Sequence, residues 1–328
     1  AVGGCVRDAL LGVEAADVDL ATSATPEEVT RLALERGLRV LPTGLVHGTV
    51  TLMSEQRGAV EVTTYRRDVS CDGRRATVAY AASIEDDLSR RDFTINAIAL
   101  APDGCLVDPF GGAHDLKAGV LRFVGDARER IHEDYLRVVR GYRFEARYGL
   151  KLDPESELAM REEAPGVPDW VSIERIVQEI DKAFAAPRAG GFLRRLYDGG
   201  ILTHAAVLPE FAGAHALMQN PEHHPEGDVL THTLEVVERA PATHRWHALL
   251  HDVGKMRTAQ PTPDGPWMVF HGHEAVGADL IPAIATRLRL SNQLAESLEV
   301  VTRLHMLPLA YANSGSINAR TVRRFQAK

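Results

Sequence analysis

Gly3-Gly4-Cys5-Val6-Arg7-Asp8, followed by Asp17-Val18-Asp19 and then Ala21-Thr22, decides the reading of this 328-residue chain. A glycine pair opens a predicted helix, and two carboxylates one residue apart follow in a predicted strand. Side chains at i and i+2 leave a strand on the same face, their Cα atoms roughly 6.5–7 Å apart. Asp17 and Asp19 can therefore converge on divalent cations, as a two-metal phosphoryl-transfer site requires. Gly3 and Gly4 let backbone N–H groups approach a phosphate where the helix dipole favours an anion. Arg7 can add a bidentate grip on the same phosphates. A turn with a helix cap is the plainer account of either piece, because Asp-x-Asp recurs by chance among 45 acidic residues. The ordered combination carries the weight.

The rest of the chain sets bounds. Its length exceeds one ordinary core and predicts two or three domains. Hydrophobic content of 45% and charged content of 25% are those of a globular protein, and no apolar run reaches the ~18–20 residues of a membrane span. Cys5, Cys71 and Cys105 are odd in number and widely spaced, which fits neither a disulfide framework nor a zinc site and predicts a reducing cytoplasm. The opening Ala1-Val2-Gly3-Gly4 reads as a chain entered within a strand, with residues expected before it. A net charge of −8 argues against indiscriminate nucleic-acid binding, yet a local basic face suffices for RNA. Arg137, Arg140, Arg143 and Arg147 recur at helical spacing and offer such a face, a solvated helix side being the alternative. Nothing in the sequence sets an oligomeric state.

Local signals order the elements. Thr25-Pro26-Glu27-Glu28 is a capping box with proline at the first helical position, and Gly37 is a fitting stop, which predicts a helix over 26–36. Residues 48–53 and 59–65 alternate around a 54–58 turn and predict a hairpin. On its second strand Glu61 faces away from Val60 and Val62, so it can join Asp17 and Asp19 if that face lines the site. Residues 66–82, containing Asp72-Gly73-Arg74-Arg75, show little periodicity and read as a mobile loop. From about 126 onward strand signals vanish, and a helix is predicted over 172–184 with Ser172 as N-cap. The stretch Gln219–Asp228 reads as a linker or a long functional loop.

Four further motifs follow the first in order. Residues 88–97 read Leu-Ser-Arg-Arg-Asp-Phe-Thr-Ile-Asn-Ala, and 108–112 read Asp-Pro-Phe-Gly-Gly. Residues 133–137 read Glu-Asp-Tyr-Leu-Arg, and 172–176 read Ser-Ile-Glu-Arg-Ile. With the opening stretch they resemble class II tRNA nucleotidyltransferases, the CCA-adding enzyme family of the polymerase-β-like superfamily. The resemblance implies Mg2+ on Asp17 and Asp19, with Glu61 beside them. It implies triphosphate on Gly3, Gly4 and Arg7, and further nucleotide contacts from Arg90, Arg91, Asp92 and Asn96, the Arg-Arg-Asp run meeting the ribose. It also implies that Asp134 and Arg137, i and i+3 on one helix face, read the incoming base, with Arg140 and Arg143 along the same helix. An aspartate accepts from cytosine N4 or adenine N6 and an arginine donates to ring acceptors, so side chains can replace a template. A surface ion pair is the alternative for Asp134 and Arg137. Tyr135 stands where the family commonly has proline, which is expected to shift the helix start.

A second chemistry lies downstream. Trp246-His247-Ala248-Leu249-Leu250-His251-Asp252-Val253-Gly254-Lys255 is a predicted apolar helix ending in a His-Asp doublet and a glycine stop. The doublet supplies one nitrogen and one oxygen ligand, suited to a transition metal or Mg2+. With His232 upstream and His273 and His305 downstream it resembles the HD phosphohydrolase module, for which His232, His251, Asp252 and His273 are the expected ligands of Ni2+, Mn2+ or Mg2+. No aspartate follows Asp279, so the usual late ligand is absent or replaced, and a catalytically silent module is the alternative.

The expected fold is α+β. A nucleotidyltransferase head with a mixed sheet spans residues 1–124, a helical neck and body engaging base and tRNA spans 125–213, and a helical HD module spans 214–328. The expected reaction is Mg2+-dependent transfer of CMP and AMP from CTP and ATP to the tRNA 3′ end. The rivals are CC-only addition, A-only addition, a bacterial poly(A) polymerase, and an HD phosphohydrolase whose head only binds nucleotide or RNA. The 66–82 loop reads a residue or two short for the full reaction. Lys328 falls in an apparent helix, and residues that help hold tRNA are expected beyond it.

Overall fold

A computed structural model of the chain describes residues 1–309 apart from 16, 42–47, 55–57, 72–75, 82 and 264. The chain divides into two compact units, Ala1–Val171 and Ser172–Lys328. The first unit holds α1 (Gly4–Leu10), β1 (Asp19–Thr22), α2 (Pro26–Glu35), β2 (Arg39–Leu41), β3 (Thr49–Ser54) and β4 (Gly58–Thr64). It continues with β5 (Arg66–Cys71), β6 (Ala76–Tyr80), α3 (Ile84–Ser89), β7 (Ala99–Leu100), β8 (Leu106–Val107), α4 (Gly112–Ala118) and β9 (Val120–Leu121). The helices α5 (Ala127–Glu133) and α6 (Leu136–Tyr148) follow, then β10 (Lys151–Leu152), α7 (Pro154–Glu163) and α8 (Val167–Trp170).

The central sheet runs β1-β4-β3-β2, with β1 parallel to β4 and the other pairs antiparallel, so it is mixed as expected. The capping box forms: Thr25 Oγ1 accepts from the Glu28 N–H and Glu28 Oε2 accepts from the Thr25 N–H, closing two donors of the open first turn of α2. The β3–β4 hairpin also forms, although its turn at 55–57 lies outside the described residues.

Three local expectations are corrected. Segments 66–71 and 76–80 pair as an antiparallel ribbon, where the sequence reading has a loop. The register shifts between Asp68 and Ser70, and such an irregularity breaks the period of two on which strand recognition rests. The Asp72–Arg75 tip lies outside the described residues. Strand β1 begins at Asp19, so Asp17 sits at a bend before it, because the β4 ladder has β1 beside it only from Glu61 onward. Strand pairing also persists past residue 126, in β10 against β9 and in a second short pair described below.

Residues 125–171 group with the head, and the packing shows why. Phe93 lies 4.6 Å from Phe123 and 5.7 Å from Phe144 of α6, ring centre to ring centre. A single aromatic core therefore spans the expected boundary at residue 124.

The second unit holds α9 (Ile173–Phe184), α10 (Ala189–Asp198), α11 (Val229–Arg239), α12 (Arg245–Leu250) and α13 (Lys255–Thr258). After the short pair β11 (Gln260–Pro261) and β12 (Met268–Val269) come α14 (His273–Leu288) and α15 (Asn292–Leu304). Ser172 precedes α9 in extended conformation, without a side-chain cap bond. Trp246 Nε1 donates to Asp181 Oδ1 at 2.7 Å, and buried Arg245 donates to the carbonyls of Phe184 and Ala186. These bonds fix α12, and with it the His-Asp doublet at its end, against α9. No described helix is long and apolar enough to cross a membrane.

Candidate active site

Gly3 caps α1 with φ 76, a left-handed value that favours glycine. A side chain there would run into the Arg91 guanidinium, so the glycine also makes room for the arginine. Arg91 reaches Asp87 Oδ2 at 3.1 Å, and Arg90 reaches Asp87 Oδ1 at 2.6 Å. Buried Asp87 thereby orients the first two residues of Arg-Arg-Asp. Asp87 is absent from the sequence reading, although its place three and four residues before the two arginines is a spacing that pairs side chains on a helix.

Asp19 opens β1 directly opposite Glu61 in the parallel ladder, so the two side chains share a face. Burial pushes the Asp19 carboxyl up, Arg91 pulls it back, and the neighbouring Asp17 charge pushes it up again. Asp17 and Glu61 are exposed and Asp19 is half-buried. Asp17 and Asp19 are close enough for their charges to interact, and carboxylate oxygens are the donors a hard cation such as Mg2+ takes.

Arg7 and Asp92 have other surroundings than the sequence suggests. Arg7 is 6% exposed, and its guanidinium is taken up by Asp8 Oδ1 and Asn96 Oδ1. It also lies over the rings of Phe144 and Tyr148, at 5.2 and 4.6 Å. Asp92 accepts from Asn96 Nδ2 at 2.8 Å, from the Phe93 N–H at 2.8 Å and from Arg140 at 2.6 and 2.9 Å. Burial works to raise the Asp92 carboxyl, yet Arg140 and these hydrogen bonds hold it at about 2. Tyr148 Oη closes the ring by donating to Asp8 Oδ1 at 3.0 Å. Asp8, Arg7, Asn96, Asp92 and Arg140 thus form one polar chain tying α1 to α6. All of its members but the partly exposed Arg140 are buried. Asp8 and Tyr148 are 140 positions apart, and no pattern in the sequence pairs them.

The expected helix face carrying Asp134 and Arg137 is corrected. Asp134 lies in extended conformation between α5 and α6, and its Oδ1 accepts from the Leu136 N–H at 3.2 Å. Tyr135 keeps a proline-like φ of −58, which explains why α6 starts at Leu136 without proline. Arg137 donates to Glu133 Oε2 at 2.6 Å, to the Arg130 carbonyl at 2.8 Å and to the Arg90 carbonyl at 3.0 Å. Arg90, Arg130 and Glu133 also line a cavity of about 350 Å3 with Ser89, Phe110 and Glu129. Of the arginines expected along one face of α6, Arg147 is exposed and the others are engaged. Arg140 is paired with Asp92, and Arg143 is 5% exposed with its guanidinium 4.3 Å from the Phe144 ring centre, because this side of α6 packs on the head.

In the second unit the histidines converge. Asp252, 3% exposed, has His232 and His251 Nε2 at 3.4 and 3.1 Å from Oδ2, and His273 and His305 Nε2 at 3.2 and 3.3 Å from Oδ1. Despite burial, which raises it, the His251 charge and the histidine hydrogen bonds hold the Asp252 carboxyl well below the usual range. Gly254 is required by close approach, since a Cβ there would strike the backbone of α14 at His273. His305, not among the expected ligands, stands beside the carboxylate as closely as the others. The Gln219–Asp228 stretch packs against this cluster: Glu226 pairs with His224 and His232, and Gln219 accepts from buried Lys255 at 2.7 Å. Glu226 and Lys255 escaped the sequence reading, although Lys255 lies one helical turn beyond Asp252. Three overlapping sets of nitrogen and oxygen donors, His224–Glu226–His232, His232–His251–Asp252 and Asp252–His273–His305, suit divalent transition metals.

Comparison with known proteins agrees with both regions. A poly A polymerase head domain matches residues 1–122, a "probable RNA and SrmB-binding site of polymerase A" matches 149–214, and an HD domain matches 222–325. The A-adding tRNA nucleotidyltransferase of Deinococcus radiodurans is 36% identical over 322 residues, 94% of this chain and 68% of that protein. The multifunctional CCA protein of Methylococcus capsulatus is 37% identical over 319 residues, 93% of this chain and 71% of that protein. The CCA-adding enzyme of Streptococcus sanguinis is 43% identical over 222 residues, 66% of this chain and 53% of that protein. The chain thus spans between about half and about seven tenths of these relatives. Among solved structures, the Bacillus stearothermophilus CCA-adding enzyme in complex with CTP is similar at a TM-score of 0.58 and 30% identity, over 100% of this chain and 83% of that one.

Proposed function

We propose that this chain, which belongs to the CCA-adding family of tRNA nucleotidyltransferases, transfers CMP and AMP from CTP and ATP to the 3′ end of tRNA. The observation that carries the reading is Asp19 opposite Glu61 and beside Asp17, with Arg91 against Gly3. Asp17 and Asp19 would hold Mg2+, which supplies charge stabilisation at the α-phosphate. Glu61 stands beside them, while Gly3, Gly4 and Arg91 receive the triphosphate. Arg90 sits at the cavity wall, and Arg7, Asp92, Asn96, Arg140 and Arg143 keep the head and α6 in register. The functional division proposed is head 1–124, neck and body 125–213 and HD module 214–328, in a reducing cytoplasm. In the HD module, His232, His251, Asp252, His273 and His305 would hold Ni2+, Mn2+ or Mg2+ for phosphate-ester hydrolysis. A-only addition is the second reading, favoured by the Deinococcus radiodurans relative.

The test incubates the protein with tRNA ending at the discriminator base and CTP, ATP or both, and reads product length on a sequencing gel. Full addition gives three nucleotides only with both substrates. Extension stopping at two supports CC addition. A single A on tRNA already ending in CC, with none on the shorter primer, supports the second reading. Long adenylate ladders would overturn both.

Arg137→Ala is expected to relax discrimination among nucleotides more than it weakens triphosphate binding, because Arg137 bonds Glu133 and the Arg90 and Arg130 carbonyls, three residues that line the cavity, and makes no hydrogen bond at the glycine turn among the described residues. Competing CTP with UTP and ATP with GTP checks this. Unchanged preferences with a raised triphosphate Kd would make Arg137 a phosphate clamp instead.

A further inference from the structure

A run of aromatic rings lies on the side of α5 turned away from the cavity. Glu129, Arg130 and Glu133 line the cavity, whereas Arg128 and His132 pair with Glu162 and Glu163 of α7. The His132 ring centre lies 5.7 Å from that of Tyr135. Tyr135 in turn stacks on Trp170, the centres 5.6 Å apart and the planes 11° from parallel. Trp170 ends α8 and is 50% exposed, so a flat indole surface meets solvent. Glu162 and Glu163 match the charges of Arg128 and His132, so the rim has no surplus positive charge for a phosphate. What it offers is a ring face. The Tyr135 ring is not needed for the start of α6 either. With φ −58 there and Asp134 extended before it, proline would serve the backbone equally.

We propose that Tyr135 and Trp170 form a stacking platform for an unpaired base at the 3′ end of the tRNA, apart from the cavity. The inference rests on the reading that this chain extends tRNA, and it adds a contact for the single strand that carries the attacking hydroxyl. Every base has a π-face, so stacking tolerates a strand whose last residue changes with each addition. Position favours that strand. Tyr135 directly follows Asp134 and precedes Arg137 by two residues, and only the width of α5, about 10–12 Å with side chains, separates the platform from the cavity. The stack also stands ready without the RNA. Tyr135 already covers one face of Trp170 and restricts its rotation, so little side-chain freedom is left to lose when a base lands on the platform.

The test measures filter retention of tRNA acceptor hairpins by the full chain, together with the fluorescence of 2-aminopurine at the last unpaired position, which falls when the base stacks. Trp170→Ala and Tyr135→Pro are each expected to weaken binding of a hairpin with an unpaired 3′ end by about tenfold and to restore the fluorescence. A blunt hairpin should bind both variants as it binds the wild type, and Trp170→Phe should keep most of the affinity. Stacking releases no counterions, so the ratio of variant to wild-type Kd should hold steady between about 50 and 200 mM salt. In nucleotide addition the KM for tRNA should rise by the same factor while kcat and the KM for CTP stay level, whereas a displaced Asp134 or Arg137 would move the KM for CTP. Unchanged affinity and fluorescence in both variants, in a protein that binds and extends tRNA, overturns the platform alone. So does a loss shared equally by the blunt hairpin, which marks a general fault in the fold. Failure of the wild type to bind or extend tRNA overturns both the platform and the reading beneath it.

Discussion

Asp19→Asn is expected to lose nucleotide addition by about three orders of magnitude or more while keeping its fold and its affinity for tRNA. The amide has the carboxylate's shape but neither its charge nor its strength as a Mg2+ ligand. Metal stabilisation of the transferring phosphoryl group is worth several kcal/mol, and each 1.36 kcal/mol is about tenfold in rate. The strand should survive, because what Asp19 gives the fold is its backbone. Its carbonyl accepts from the Val2 N–H at 3.0 Å, and β1 pairs with β4 from this residue onward. The substitution also removes one of two repelling charges, so Tm should stay level or rise. Labelled CMP incorporation at saturating and limiting Mg2+, with filter retention of tRNA, separates these effects. Near-normal incorporation at limiting Mg2+ would sink the carboxylate assignment.

His251→Ala combined with Asp252→Ala is expected to abolish metal-stimulated phosphatase and 2′,3′-cyclic phosphodiesterase activity while nucleotide addition persists within a few-fold. Among the described residues Asp252 is the carboxylate touched by all four histidine Nε2 atoms, so both candidate ligand sets that include it are lost with it, and only the His224–Glu226–His232 group remains. Removing it also leaves Lys255 without its acid partner, in a site where an unpaired charge is expensive. The double variant should therefore lose several degrees of Tm, and Asp252→Asn gives a milder comparison. The head carboxylates lie in the other compact unit, and an ion held by histidines has no part in the attack of a tRNA hydroxyl on an α-phosphate. Two results count against this division. One is loss of both activities in a folded protein. The other is absence of hydrolysis by the wild type with Ni2+, Mn2+ and Mg2+ alike, which points to a silent module.

What could be read from the sequence were features whose physics is local. Thr25 and Glu28 cap a helix because three residues bring their groups together in any chain, and Asp17, Asp19 and the His-Asp doublet are recognisable because their spacing is their chemistry. The mixed α+β head, the helical remainder and the membership of the family followed from such short patterns in order. Tertiary structure alone decided what each charged group faces. Arg7, Asp92 and Arg140 carry motif positions that suggest ligand contacts, yet they form a buried chain closed by Tyr148, a partner 140 positions from Asp8. Asp134 left its expected helix face because a chain turning between α5 and α6 needed it at the junction. His305 joined Asp252 only because α14 and α15 fold back on each other, and Glu226 and Lys255 are meaningful only around the cluster they enclose. Hydrogen bonds and ion pairs are satisfied by whichever partner the fold brings within about 3 Å, and sequence distance carries no record of that choice.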